Sequence, residues 1–131
     1  MDITKSTLWG ALVLVVLAAV LFAWRGHLLR EREQCGVRLE QLAPHLAAYA
    51  DAHAGALPAD EDALRAAAGS LPLSTAGKPF TLAAEPRAWQ QTPNRPYLWD
   101  PEPHPYVNGI HVLATDGKVY LVDTLDEVPG Q

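Results

Sequence analysis

The sequence predicts an α+β protein in which one long N-terminal helix, transmembrane at first and amphipathic later, packs on a small antiparallel β-sheet. Three observations lead to this fold class. An uncharged apolar run comes first, apolar residues at helical spacing follow it, and two alternating runs around an Asp-Gly pair lie near the end of the chain. Helical signals thus precede strand signals, which is typical of α+β layouts.

The apolar run extends from Leu8 to Trp24, seventeen residues without a charge or a proline. As a helix it would be about 25 Å long, close to the thickness of the hydrocarbon core of a bilayer. Tryptophan stands near both ends and an arginine follows directly, and both residue types favour the headgroup layer. Residues 1–30 are therefore predicted to form a single transmembrane anchor in lipid, with Trp9, Trp24 and Arg25 at the membrane interfaces.

A cleaved signal peptide and a buried core helix are the two alternatives for this run. A signal peptide has a shorter apolar region followed by small residues at a cleavage site, whereas this run ends in Phe22-Ala23-Trp24-Arg25. A core helix of a soluble protein normally keeps one polar face, which this run lacks. An uncleaved anchor is the preferred interpretation.

Beyond residue 30 the helix is predicted to continue as an amphipathic one, as part of a small α+β domain of residues 31–131. Its apolar residues recur at spacings of three and four, which suits packing on a core. The stripe consists of Leu39, Leu42, Leu46 and Tyr49, followed by His53. Because glycine and proline weaken helices, a bend or a local break is expected at Gly36 and Pro44, and Gly55 is expected to end the helix.

A second, short helix is predicted over residues 60–68. Asp60 suits the N-cap position, acidic residues fill the first turn, and Gly69 suits the end of the helix. Two short strands are predicted after it, at residues 79–83 and 96–99.

The clearest strand pair covers residues 110–115 and 118–123. Both runs alternate, and the Asp116-Gly117 pair lies between them. Glycine tolerates the positive φ that a tight turn requires, so Asp116 and Gly117 are predicted to form the turn of a β-hairpin.

Charge is divided unevenly along the chain. Residues 1–38 contain five Lys and Arg against three Asp and Glu, and residues 39–131 contain five against twelve. An acidic domain argues against nucleic-acid binding, which requires a basic surface. The single cysteine, Cys35, has no partner for an internal disulfide and is interpreted as a non-catalytic thiol or a site of intermolecular pairing.

No catalytic residue, cofactor or metal site is predicted, and the protein is interpreted as a non-enzyme. His104, His111, Asp116 and Asp123 are of metal-ligating types, and two of them fall on the strands of the predicted hairpin. An ordinary solvated sheet face with a turn aspartate is the preferred interpretation. The later aromatic residues are expected to cluster over the sheet and to offer a possible binding surface: Trp89, Tyr97, Trp99 and Tyr106.

The order of these segments resembles that of type IV pilins and type II secretion pseudopilins. The stretch from Cys35 to Pro58, with its spaced leucines, Tyr49 and His53, is similar to a cysteine-containing stretch of a bacterial pilin-like family. Residues 110–119 are similar to a phrase such as N-V-L-F-A-D-G-H-V that is common in that family. The family's prepilin peptidase site is degenerate here, because Lys5, Ser6 and Gly10 stand in place of its glycine, phenylalanine and glutamate.

The resemblance implies a non-enzymatic subunit, accessory to a secretion or pilus system, whose helix contacts other subunits. It also implies a single-pass protein of the bacterial inner membrane with its domain outside the cytoplasm. The positive-inside count, with Lys5 before the run and four arginines after it, favours the reverse orientation; the resemblance is preferred. A membrane-tethered binding or adaptor domain that does not polymerise is the alternative function.

Overall fold

A computed structural model describes residues 2–104 and 108–131, with side chains from residue 4 onward. Helix α1 spans Asp2–Ala52 and helix α2 spans Glu61–Ala68. The elements that follow are β1 (Thr81–Leu82), β2 (Pro96–Trp99), β3 (Ile110–Ala114), β4 (Val119–Val122) and a 3-10 turn at Leu125–Glu127. The predicted α+β fold class, a long helix with a small antiparallel sheet, is confirmed.

Helix α1 is continuous for 51 residues, so the local break that was one of the two expectations at Gly36 and Pro44 is absent. A proline inside a helix leaves the carbonyl four residues earlier without its helical partner. Pro44 and Glu40 are both exposed, so that carbonyl lies on the solvent side of α1. The buried side chains of Leu42 and Leu46 hold the helix on the core on either side of the proline.

The apolar first part of α1 lies outside the core of the domain. Residues 4–25 are all exposed, and the apolar segment of this helix is the one candidate membrane span among the described residues. A core helix would be buried, so this segment is not the core helix of the domain. Its length and composition are compatible with a membrane anchor.

The four strands form one antiparallel sheet in the order β1-β2-β3-β4. Helix α1 crosses one face of it, over β3 and β4. Apolar side chains from α1, α2, this sheet face and the loops next to them form the main core: Cys35, Leu39, Leu42, Leu46, Leu57, Leu64, Phe80, Tyr97, Leu98 and Leu113. Since strand residues alternate between faces, Val112 and Ala114 point the other way, into a second cluster that Val122 and Val128 complete.

Helix α2 begins and ends at the residues that the sequence predicts. The side chain of Asp60 accepts a hydrogen bond of 2.7 Å from the backbone N–H of Ala63, and Gly69 adopts the left-handed conformation at the end. Leu64 is the buried residue of the helix and packs on the main core. The cap therefore fixes the start of an eight-residue helix that has little other support.

Replacing Asp60 with alanine is expected to lower the free energy of unfolding by about 0.5–2 kcal/mol, because the N-cap hydrogen bond is lost. Denaturant titration of the full chain in detergent, followed by tryptophan fluorescence, measures this change. Asp60→Asn is the matched control, since asparagine caps equally well. Equal stability of the alanine and asparagine variants would contradict the capping role.

Candidate functional site

The predicted helix stripe lies where α1 meets the sheet. Leu39, Leu42 and Leu46 are buried in the main core, whereas Tyr49 is only half-buried. The Tyr49 ring stacks on the His53 ring with centroids 3.7 Å apart. His53 is exposed and follows the last helical residue, so it does not extend the stripe into the core.

The predicted turn residues form the β3–β4 hairpin. Gly117 has a φ of 83°, and a Cβ there would lie 2.8 Å from the ring of Trp89. The carboxylate of Asp116 accepts hydrogen bonds from the Lys118 backbone N–H and from the Tyr120 hydroxyl. The geometry of the turn thus accounts for an aspartate at position 116 and a glycine at position 117.

The predicted membrane-interface residues lie on the exposed part of α1. Trp9 and Trp24 are near the two ends of the apolar segment, and Arg25 follows on the same continuous helix. The first fully buried residue of α1 is Cys35. About ten residues, or 15 Å of helix, therefore separate the end of the apolar segment from the core of the domain.

Cys35 is buried against the loop that follows α2 rather than displayed at the surface. Its sulfur lies 3.3 Å from the Thr75 hydroxyl and accepts a 3.4 Å hydrogen bond from the Thr75 backbone N–H. Arg38, one turn further along α1, donates to the carbonyls of Leu73 and Ser74 and holds the same loop on the helix. Intermolecular pairing through Cys35, one of the two interpretations of this residue, is incompatible with this burial.

Gly36 lets α1 approach β3 closely. A Cβ at Gly36 would lie 2.7 Å from Cδ2 and 2.8 Å from Nε2 of His111. Real Cβ atoms do not approach other atoms this closely, so the helix could not sit here with a larger residue and an unmoved imidazole ring. The glycine that was expected to weaken the helix is thus a packing residue.

Asp100 lies at the centre of a buried polar cluster between α1 and the sheet. It follows β2, and its Oδ2 accepts a 2.8 Å hydrogen bond from the backbone N–H of His111 on β3. His104 Nε2 is 3.4 Å and His111 Nδ1 is 3.8 Å from the same oxygen. Ligand-type atoms of Cys35, Asp100 and His104 all lie within 4.8 Å of one another.

Burial and hydrogen bonding shift the ionisation of this cluster in two directions. Burial raises the pKa of the Cys35 thiol, which outweighs the hydrogen bonds from Thr75, so the sulfur is a neutral thiol at neutral pH. Burial also raises the pKa of the Asp100 carboxyl. The nearby His111 ring, the hydrogen bond from the His111 backbone N–H and the nearby His104 outweigh that effect, however, and the pKa of Asp100 lies below its ordinary value.

Three polar atoms of this cluster are buried without a hydrogen-bond partner: Asp100 Oδ1, His104 Nε2 and His111 Nδ1. A pocket of about 160 Å³ adjoins it and is lined in part by Asp100 and His104, together with Lys78 and Glu102. Lys78 and Glu102 form an ion pair across the pocket. The cluster thus contains polar atoms without hydrogen-bond partners and lies next to a pocket that opens to solvent.

The structure separates the four residues considered from the sequence as metal-ligating types. His104 and His111 lie beside Asp100, but Asp116 belongs to the hairpin turn and Asp123 is exposed after β4. Sequence reasoning missed Cys35 and Asp100 as their neighbours. One signal was present in the sequence: Asp100 directly follows a predicted strand, and His104 comes four residues later. No spacing in the sequence connects these two residues to Cys35.

The predicted aromatic cluster is divided between the two faces of the sheet. Tyr97 and Trp89 pack in the main core, where the Tyr97 hydroxyl donates to the carbonyl of Pro58 at 2.7 Å. Trp99 packs on the second cluster instead. Tyr106 lies outside the described residues. The three described residues therefore do not form one aromatic binding surface.

Comparison with family models, with curated proteins and with solved structures finds no match for this chain. The class that the structure itself defines is an α+β protein built on one long N-terminal helix, whose exposed apolar part is compatible with a single membrane span.

Proposed function

We propose that the protein is a non-enzymatic, pilin-like or pseudopilin-like subunit anchored in the bacterial inner membrane, accessory to a secretion or pilus system. The domain would lie on the extracytoplasmic side, and α1 would pack against membrane helices of other subunits. The single observation that carries this proposal is the continuity of α1 from its exposed apolar part into the core of the domain. A flexible tether would need no such continuity.

A continuous helix fixes the orientation of the domain relative to the apolar segment, in addition to attaching it. At 1.5 Å per residue, α1 is about 76 Å long, and roughly two thirds of it precedes Cys35, its first buried residue. Any rotation or shift of the apolar part among neighbouring helices is passed to the domain, because no linker absorbs it. This mechanical coupling suits a subunit whose domain must be placed in a defined orientation within an assembly.

The exposed surface of the first part of α1 supports a lipid or helix environment. Apart from Trp24, its large apolar side chains, which include Leu14, Val15 and Phe22, are more than half exposed. Monomeric soluble proteins rarely expose a contiguous apolar surface of this length. Gly10 stands where the resembling family has a glutamate, and this difference favours an accessory role over that of a major filament subunit.

The state of Cys35 argues against catalysis through this thiol. Catalytic thiols are partly exposed and have a lowered pKa. The Cys35 sulfur is fully buried and its pKa is raised, so it is a poor nucleophile in this structure.

Single cysteines placed one at a time from Val13 to Val20 are expected to cross-link into dimers and higher ladders in native membranes under mild oxidation. Helices that pack side by side present the same face every 3.6 residues, so the yield should oscillate with that period. The chain with Cys35 alone is the matched control and should give no product, because this thiol is buried. Electrophoresis without reductant measures the yield.

Three results would contradict the proposal. Uniformly absent ladders, or one heterologous band at every position, would favour the membrane-tethered adaptor domain that does not polymerise. Protection of the domain from protease added to spheroplasts would place it in the cytoplasm and exclude the pilin-like orientation.

A further inference from the structure

Three metal-ligating side chains converge in the buried cluster between α1 and the sheet. They come from separate parts of the chain: Cys35 from α1, Asp100 from the end of β2, and His104 from the loop that follows. Thiolate, carboxylate and imidazole are the ligand types of zinc sites in proteins. Their convergence alone is not sufficient, because buried polar groups can also satisfy one another.

The second observation is that two of these side chains each keep a buried polar atom without a hydrogen-bond partner. The Asp100 side chain is 1% exposed, yet Oδ1 has no hydrogen-bond partner, and the same holds for His104 Nε2. An unpaired buried polar group costs about 1–3 kcal/mol. Two such atoms lie beside one thiol, on residues that also line a pocket, and one bound cation could be coordinated through both.

Distances within the cluster fit coordination better than direct hydrogen bonding. A charge-assisted N–H···O bond is about 2.7–2.9 Å long, but His104 Nε2 is 3.4 Å from the nearer Asp100 oxygen. Ligand atoms about 2.0–2.3 Å from a tetrahedral zinc ion lie roughly 3.3–3.8 Å apart. Small side-chain rotations would bring the three groups, now within 4.8 Å of one another, to these separations.

Neighbouring groups are placed as outer partners of such an ion. The Thr75 backbone N–H points to the Cys35 sulfur, with the Thr75 hydroxyl also in reach, and the His111 backbone N–H binds Asp100 Oδ2, which leaves Oδ1 free to coordinate. Partners of this kind orient ligands and tune metal sites.

We infer that Cys35, Asp100 and His104 bind a divalent transition-metal ion, with Zn²⁺ the best match, and that the fourth coordination position opens into the adjoining pocket. Binding converts the Cys35 thiol to a thiolate, and the proton is released to solvent. Three protein ligands and one open position leave the ion able to hold water or a small anion from the pocket. This inference is independent of the proposed role in assembly.

Titration with Co²⁺ tests the site in the full chain, purified in detergent, kept reduced and freed of metal with a chelator. One equivalent is expected to give a thiolate-to-cobalt charge-transfer band in the near ultraviolet and the strong visible bands of four-coordinate cobalt. Added Zn²⁺ should abolish both. Zn²⁺ should also raise the thermal midpoint of the metal-free protein.

Two variants and one control locate the ion. Cys35→Ser is expected to abolish the charge-transfer band, and His104→Ala to weaken Co²⁺ binding by more than about 10-fold, the lower limit typical of changes around a metal site. His104 lies in a loop and contributes nothing to the main core, so its replacement reports on binding even if the Cys35 variant does not fold. His45→Ala removes an exposed histidine of α1, the helix that carries Cys35. It should change neither the charge-transfer band nor the affinity for Co²⁺.

The inference is overturned if the folded wild-type chain gives no cobalt bands with one equivalent. It is also overturned if His104→Ala binds as the wild type does, or if only His45→Ala reduces binding, since the ion would then be held at the surface.

Discussion

Replacement of Leu46 with alanine is expected to lower the free energy of unfolding of the full chain by about 2–5 kcal/mol. Leu46 is 0% exposed and packs in the main core, so its truncation removes buried apolar surface and leaves a cavity. Small domains are stable by only about 5–15 kcal/mol, and this change would remove a large share. Urea titration in detergent, followed through the fluorescence of Trp89 and Trp99, measures the loss.

Val37→Ala is the matched control on the same helix. Val37 is 49% exposed and contributes nothing to either core cluster, so its truncation should change the stability by less than about 0.5 kcal/mol. Similar losses for the two variants would mean that α1 does not pack on the sheet through the face described.

The second large effect is expected at Gly36. Alanine there would gain about 1 kcal/mol of helix propensity, but its Cβ would lie 2.7 Å from the His111 ring. Forcing an extra methyl group into a packed contact typically costs about 1–3 kcal/mol. Since the His111 ring is buried beside Asp100, it cannot simply turn into solvent. A net loss of stability of up to about 2 kcal/mol is therefore expected.

Gly26→Ala supplies the control, because nothing lies within 4 Å of a Cβ at that position. This variant should be more stable than the wild type by part or all of the gain in helix propensity. The free energies of unfolding of the two glycine variants should therefore differ by about 1–3 kcal/mol. The double variant Gly36→Ala/His111→Ala should be more stable than His111→Ala alone, because the alanine at position 36 then meets no ring. If Gly36→Ala and Gly26→Ala were equally stabilising, the close approach of α1 to β3 would be wrong.

Local signals in the sequence predicted the regular elements well. Helix α2 starts after Asp60 and ends before Gly69, as its caps indicate, and the β3–β4 hairpin turns at Gly117. These features depend on a few neighbouring residues whose backbone preferences are strong. Prediction was less accurate where neighbours distant in sequence decide: β1 is only Thr81–Leu82, shorter than the predicted strand at residues 79–83.

The buried cluster was not predictable from local patterns. Cys35 and Asp100 are 65 positions apart, and their proximity follows from the packing of α1 across the sheet. The same packing gives Gly36 its role, since the backbone must come close to His111. Glycine in a helical sequence indicates weakness by default, and only the partner strand shows that it is a point of contact.

Local patterns are enough to predict a long uncharged apolar helical segment near the N-terminus and an antiparallel hairpin near the C-terminus, because hydrophobic period and turn chemistry are local properties. Long-range packing is needed to show that this helix continues unbroken to Ala52 and brings Cys35 close to Asp100 and His104. The continuity depends on Pro44 facing solvent and on the leucines around it facing the core. The spacing of the leucines indicates the buried face, but which residues of other elements meet that face is a property of the packed domain.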